Sequence, residues 1–387
     1  MRRLRIGIEA SPLGYPTGGG LWSFLYHGLR ELSRLDADNE YVLYTTRSTT
    51  EKMLPVQVCN GSRWRMHRAT GITAIKPTLW LQCGFRKASA ADRLDVLWLT
   101  RHLPPLTERK VPLVSTVFDL LYLRASEGLS YSLKISNELF VRATAKLSQR
   151  IIATSNATAQ DLTHALGVDP KKIDVAYGGV DHTLFYPRDR DVARAYVKQR
   201  YKVHRPFILA SEVFIPRKNV VKQLEAYAML PQELRRKYAF IAAGRPARHV
   251  RNVDVEGTVR RLGLSGDVTV VDFINHADMP LMYSAASLLA FASRYEGFGL
   301  PIVEAMACEC PVVTSRHSSM PEAGGSAALY ASPDDPYDIA VQMQRALVEA
   351  DLIAEMRRLG RDHAMKFTWS AYASAVLSAL RAAARAN

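Results

Sequence analysis

Cysteine is scarce: Cys59, Cys83, Cys308 and Cys310 are the four in 387 residues. That density is far below a disulfide scaffold's, and the spacing lacks paired metal ligands, which argues against a stapled fold or a zinc module and for a reducing, cytoplasmic setting. Cys308 and Cys310 alternate around one acid in an apolar segment and read as buried thiols. Long apolar runs are missing too. No stretch approaches the roughly 18 residues that span a bilayer, and the short run after Met1-Arg2-Arg3 is broken by Arg5 and Glu9, so neither a span nor a secretory signal is readable. Acids are in short supply, 37 against 51 Lys and Arg, which leaves a net charge of +14 and predicts attraction to polyanions.

What is present describes a soluble globular chain. With 48% hydrophobic and 23% charged residues it can bury sizeable cores, and its length suggests two or three domains at about 150 residues each. More than half of the positive excess falls in residues 52–110, net +8, beside Trp64, Trp80, Phe85 and Trp98. Three readings of that segment stay open. It is a solvated surface over core tryptophans, a face toward an anionic membrane or lipid phosphate, or a nucleic-acid surface, although no recognition-helix, zinc-finger or RNP pattern accompanies the charge.

Apolar runs alternate with helical stretches from end to end. Strands are expected at 4–10, 41–45, 95–99, 112–117, 150–154 and 173–176, then at 207–210, 239–243, 268–271, 288–292 and 312–314. Between the first two, Leu21, Leu25, Leu29 and Leu32 line one face of a helix. The fold class is therefore α/β, with two Rossmann-like βαβ domains whose parallel sheets bind ligands at their strand carboxyl ends, on either side of a cleft. The Tyr186-Pro187-Arg188-Asp189 break divides domain 1–187 from domain 188–370, and the Ala-rich 371–387 reads as a helix, expected to pack back toward the first domain. A dehydrogenase is disfavoured, because Ser11-Pro12-Leu13-Gly14 and a long loop replace a compact G-x-G-x-x-G.

The most informative stretch runs from Arg294 to Met306. Pro301 suits the first turn of a helix, and Gly297-Phe298-Gly299 lets backbone amides approach a ligand, so a diphosphate can rest on Gly297 to Leu300 with Glu296 and Glu304 as separated carboxylates. A capped buried helix with one surface acid explains the same residues.

Glu296-Gly297-Phe298-Gly299-Leu300-Pro301, with Glu304-Ala305-Met306-Ala307 behind it, closely resembles the signature of retaining glycosyltransferases of family 4, which have the two-domain GT-B fold. Pro16-Thr17-Gly18-Gly19-Gly20, Tyr177-Gly178-Gly179-Val180-Asp181, Phe185-Tyr186-Pro187, Pro216-Arg217-Lys218-Asn219 and Ser318-Ser319-Met320-Pro321-Glu322 extend the resemblance over nearly the whole chain. It implies an acceptor-side first domain and a nucleotide-sugar-binding second one. Glu296 would approach the donor sugar as the catalytic carboxylate and Glu304 would hold the ribose. Arg217 and Lys218 would neutralise the diphosphate, with Gly18, Gly19, Gly20 and the amides of Gly297, Phe298, Gly299 and Leu300 beside it.

Three positions depart from the pattern. Phe118 precedes Asp119 where a His is frequent, Glu212 stands where an Arg often precedes the Lys by six residues, and Glu309 replaces a usual Gly. The implied activity is metal-independent, cofactor-free transfer of a hexose, mannose from GDP-mannose first, to a glycan or lipid-diphosphate-linked acceptor on the inner membrane face. The competing class is a nucleotide-sugar or nucleic-acid binding protein without chemistry.

Overall fold

The computed structural model describes residues 2–14, 19–46, 49–69, 80–82, 85–106, 110–246 and 251–385. Contacts group the chain into two units, the first Met1–Leu120, Ile135–Gly179 and Thr368–Asn387, the second Leu121–Lys134 and Val180–Phe367. The expected boundary after residue 187 thus compares with a change of unit at Gly179. Phe185, before the proline, already packs inside the second unit, its ring 5.4 Å from His276 and 6.2 Å from Tyr283.

The first unit holds seven strands, β1 (Arg5–Glu9), β2 (Glu40–Thr45), β3 (Trp64–Arg68), β4 (Val96–Leu99), β5 (Leu113–Val117), β6 (Arg150–Ala153) and β7 (Ile173–Val175). Their order is β3-β2-β1-β4-β5-β6-β7, and every pairing is parallel. The second unit holds β8 (Phe207–Ser211), β9 (Ala239–Ala243), β10 (Val268–Val271), β11 (Leu288–Phe291), β12 (Val312–Ser315) and β13 (Leu329–Ala331), ordered β10-β9-β8-β11-β12-β13 and again all parallel. Helices between successive strands cover both faces, so the central strands are wholly buried and read as apolar runs.

β3 and β13 were not expected. Both are edge strands: β13 has three residues, and β3 is Trp-Arg-Met-His-Arg with no apolar run. An edge strand faces the core on one side only and tolerates charge, and the exposed Arg65 and Arg68 guard an edge that would otherwise template another strand. Of the readings open for the basic-aromatic segment, the aromatics fit the one that places tryptophans in the core. Trp80, Phe85 and Trp98 are core residues, Trp64 stacks on Tyr41 with ring centres 4.1 Å apart, and Arg63 Nη1 donates to Asp36 O at 2.7 Å. These aromatics therefore form no interfacial belt. Among the described residues no helix is long and apolar enough to cross a membrane.

Helix Gly20–Leu35 buries Phe24, Leu25, Leu29 and Leu32. Its partner is helix Trp369–Arg385, whose Trp369 and Tyr372 both meet Phe24 edge-on at 5.3 and 5.2 Å. The chain enters that helix against Gly179, where a Cβ would lie 2.2 Å from Trp369 N and 2.5 Å from Thr368 C. Both neighbours are backbone and cannot turn aside. Gly179→Ala is accordingly expected to lower first-unit stability by about 2 kcal/mol or more, read as an earlier thermal transition by circular dichroism; an unchanged transition would show that the backbone yields.

Candidate active site at the second sheet's switch point

β8 and β11 are neighbours, but the chain leaves β8 toward β9 on one side and β11 toward β12 on the other. Their carboxyl ends therefore open a crevice between diverging connections, where open α/β sheets bind ligands. Everything in the candidate site hangs from these exits.

After β8 the chain turns through Glu212, whose φ is 54°, and reaches a tight 3₁₀ turn at Pro216–Lys218. Asn219 follows in the left-handed region, which Asn tolerates better than most residues. Its Nδ2 donates to Ala292 O at 3.0 Å and Pro333 O at 2.6 Å, tying the turn to the chain leaving β11. Arg294 N donates to Arg217 O at 2.9 Å, and Gln223 Nε2 to Lys218 O at 2.6 Å. From the exit of β12, the Ser318 and Ser319 hydroxyls donate to Glu296 O at 2.7 and 2.9 Å. The backbones of both cations and of the acid are thus fixed before their side chains meet.

Those side chains form one ion cluster. Arg217 Nη1 lies 2.6 Å from Glu296 Oε2 and Lys218 Nζ 2.9 Å from Glu296 Oε1. Lys218 Nζ also pairs with Glu212 Oε2 and sits 4.7 Å from the Phe291 ring centre. Lys218 is 4% exposed and Glu296 7%, so each charge depends on the other for compensation. Burial alone would raise the Glu296 carboxyl, but the two cations outweigh it and hold it down at about 2. Glu304 behaves oppositely. Burial first, and the Glu212 charge second, push its carboxyl up to about 7 against a hydrogen bond from Tyr283. Two cations converging on a carboxylate can exchange it for another oxyanion of suitable shape, which is the chemistry of a phosphate site.

The remaining sequence-chosen residues divide. Gly299 caps helix Leu300–Ala307 with φ 106°, a backbone that requires glycine, and Pro301 fills the first turn. The Phe298 side chain is buried against Phe367, ring centres 5.2 Å apart, so only its backbone could face a ligand. Leu300 and Glu304 are half-buried. Gly19 and Gly20 belong to the first unit, where they open helix Gly20–Leu35 with free space at each Cβ position; Gly18 lies outside the described residues. Glu309 adopts φ 56°, the conformation that favours the glycine it replaces, and pairs with Arg361 at 3.1 Å.

Sequence reasoning missed a second polar cluster at the first sheet's own switch point, between β1 and β4. Buried Glu9 accepts from the Ser11 hydroxyl and from Thr100 Oγ1 at 3.1 Å, and Arg101 Nη2 lies 3.4 Å away. His102 beyond it has Nε2 3.0 Å from Asn137 Oδ1; burial lowers its pKa although the charge of Asp119 opposes. Phe118 meanwhile packs edge-on against Phe24 at 5.0 Å. The one local signal was Glu9, a lone charge closing an apolar strand.

Comparison with known proteins agrees with this geometry. Residues 18–184 match the sequence profile "Glycosyltransferase Family 4" and residues 194–363 match "Glycosyl transferases group 1". Each profile covers a little under half of the chain, and in its two parts the chain is similar to family 4-like glycosyltransferases. Among its relatives, the O-antigen chain mannosyltransferase B of Escherichia coli is 36% identical over 154 residues, 40% of each chain. The serotype-specific mannosyltransferase WbdA of the same organism is 32% identical over 181 residues, 45% of this glycosyltransferase-like chain and 21% of that protein. The matched stretches span well under two thirds of these relatives. Sucrose-phosphate synthase from Thermosynechococcus elongatus shares the fold at a TM-score of 0.76 and 21% identity, covering all of both chains. Anabaena HepE in complex with UDP-glucose does so at 0.74 and 18%, covering 98% of this chain and all of that one. The two parallel-sheet units are those of GT-B glycosyltransferases.

The raised Glu304 carboxyl has a stability consequence. A group that prefers its proton when folded stabilises fully below its unfolded value near 4.5 and loses that contribution as pH rises through about 7. Glu304→Gln should therefore leave stability little changed at pH 5 but raise it by on the order of 1–2 kcal/mol at pH 8. Urea denaturation at both pH values checks this, and equal effects at the two would contradict it.

Proposed function

We propose that this chain is a retaining hexosyltransferase that moves a sugar, mannose first, from a nucleotide-diphosphate donor to a hydroxyl of a glycan or lipid-linked acceptor. The observation that carries the reading is the buried Arg217–Glu296–Lys218 cluster at the carboxyl ends of β8 and β11. A donor diphosphate arriving there would share the Arg217 guanidinium and the Lys218 ammonium, which would stabilise the third negative charge left on the departing diphosphate when its bond to the sugar breaks, until it takes the proton given up by the acceptor hydroxyl. Glu296, still buried and ionised between the same cations, would then lie beside the sugar carbon as positive charge develops on it. Glu304 is assigned to the ribose hydroxyls, and the amides from Gly297 to Leu300 to the phosphates.

Because both cations come from the chain itself, transfer is proposed to proceed without a divalent metal. Mannose is favoured by the names of the E. coli relatives, O-antigen chain and serotype-specific mannosyltransferases, and GDP-mannose is proposed with it as the donor. Their O-antigen context also favours a role in polysaccharide assembly on the inner membrane face. The exposed Arg68, and Arg65 as far as its pairing with Asp92 at 3.7 Å allows, would offer charge to an anionic membrane surface there.

A thermal-shift screen against UDP, GDP and their sugars tests donor recognition, since a ligand that binds only the folded state raises the transition in proportion to its affinity. GDP and GDP-mannose are expected to give the largest shifts. Silence across the whole panel would reject the reading. Turnover should persist in excess EDTA, and a complete loss restored by Mg or Mn would remove the metal-independent part.

The division of labour between the carboxylates is checked by kinetics. Glu296→Gln is expected to lower kcat by about a hundredfold or more with donor affinity little changed, whereas Glu304→Gln should chiefly weaken nucleotide binding. Equal losses of affinity in both variants would refute that assignment.

A further inference from the structure

The charges around Lys218 do not sum to an anion site. Arg217 and Lys218 face Glu296 and Glu212, with Glu304 close enough to Glu212 to feel its charge. For a diphosphate to bind, one carboxylate must let go of Lys218. Glu296 is buried, engages both cations and has its carbonyl pinned by Ser318 and Ser319, so turning it away would strand a charge in the core. Glu212 engages Lys218 alone, and its side chain is 52% exposed. It can rotate into water at little cost.

The backbone at Glu212 points the same way. Its φ of 54° lies in the left-handed region, where glycine is the comfortable residue, and Gly244 beyond β9 passes so close that a Cβ there would lie 3.1 Å from Glu212 Cα. A glutamate sits at this strained exit with its carboxylate on the buried Lys218, and strain kept at a ligand crevice is a pointer to use. We propose that Glu212 is an internal stand-in for a phosphate oxyanion, a positioning residue that holds Lys218 in place in the empty site and is displaced by the diphosphate. It thereby weakens phosphate binding and favours release of the spent nucleotide. The proposal rests on the reading of this crevice as a diphosphate site.

The test is calorimetric titration of the full chain with inorganic pyrophosphate, UDP and GDP at pH 7.5, for wild type, Glu212→Gln, Glu212→Asp and Glu212→Gln combined with Lys218→Gln. Glu212→Gln is expected to bind pyrophosphate about five- to tenfold tighter than wild type. Glu212→Asp keeps the charge but draws back from Lys218, so it should reproduce most of that gain. In the Lys218→Gln background the gain from Glu212→Gln should shrink to less than about twofold. Unchanged or weaker binding in Glu212→Gln overturns the proposal, as does a gain that Glu212→Asp lacks, since general repulsion would then be the cause. Nucleotides that bind wild type and Glu212→Gln alike would sink the Glu212 role and leave the donor reading standing. Pyrophosphate that responds to Glu212→Gln while UDP and GDP bind no better than it would keep the Glu212 role and reject the nucleotide. Binding of none of the three to any variant overturns both.

Discussion

The second unit is organised around one expensive arrangement, a lysine and a glutamate that have both been taken out of water. Lys218 and Glu296 come from opposite sides of the sheet's divergence, so their pairing closes the crevice floor and commits the surrounding backbone. Removing either partner would strip the other of its buried counter-charge and leave only Arg217 on Glu296, or the more exposed Glu212 on Lys218. Four residues in the left-handed conformation, Glu212, Asn219, Gly299 and Ser318, ring this floor, each just past the end of β8, β11 or β12. The sheet supplies rigidity, and the turns supply aim.

The two sheets solve a similar problem with different means. Each sets an acid at its switch point, Glu9 in the first and Glu296 in the second. Glu9 has hydroxyls on its carboxylate, from Ser11 and Thr100, whereas Glu296 has hydroxyls on its backbone carbonyl and leaves its carboxylate to two cations. Glu9 meets one cation, Arg101, at 3.4 Å, whereas the Glu296 carboxylate holds two cations at 2.6 and 2.9 Å that an incoming anion could share.

Most strands were legible because both faces of these sheets are covered, which turns each strand into an apolar run. β3 and β13 escaped since an edge is half solvated. The Glu296 to Glu304 stretch was legible because its chemistry is local, with one helix start and two acids a few residues apart. Glu212 was legible only as a misfit. Its engagement with Lys218 depends on a turn whose handedness no residue type announces. For the aromatics of 52–110 composition left the choice open: it reports that Trp80, Phe85 and Trp98 are near arginines in sequence, while pleat and helix period decide which of them face the core. Likewise the approach of His102 to Asp119 joins the exits of two neighbouring strands, a relation that exists only after the sheet has formed.

The first unit is discontinuous: the chain leaves it at Gly179 and returns at Thr368 to lay helix Trp369–Arg385 against Phe24. On the ribosome the amino-terminal sheet therefore emerges first but is finished last. Until the entire second unit has been made, the apolar stripe carrying Phe24, Leu25, Leu29 and Leu32 lacks its cover, and a nascent chain in that interval presents a sticky surface of the kind chaperones recognise. Completion of the two units is thus ordered by translation, with the second unit's sheet able to close before the first unit is complete.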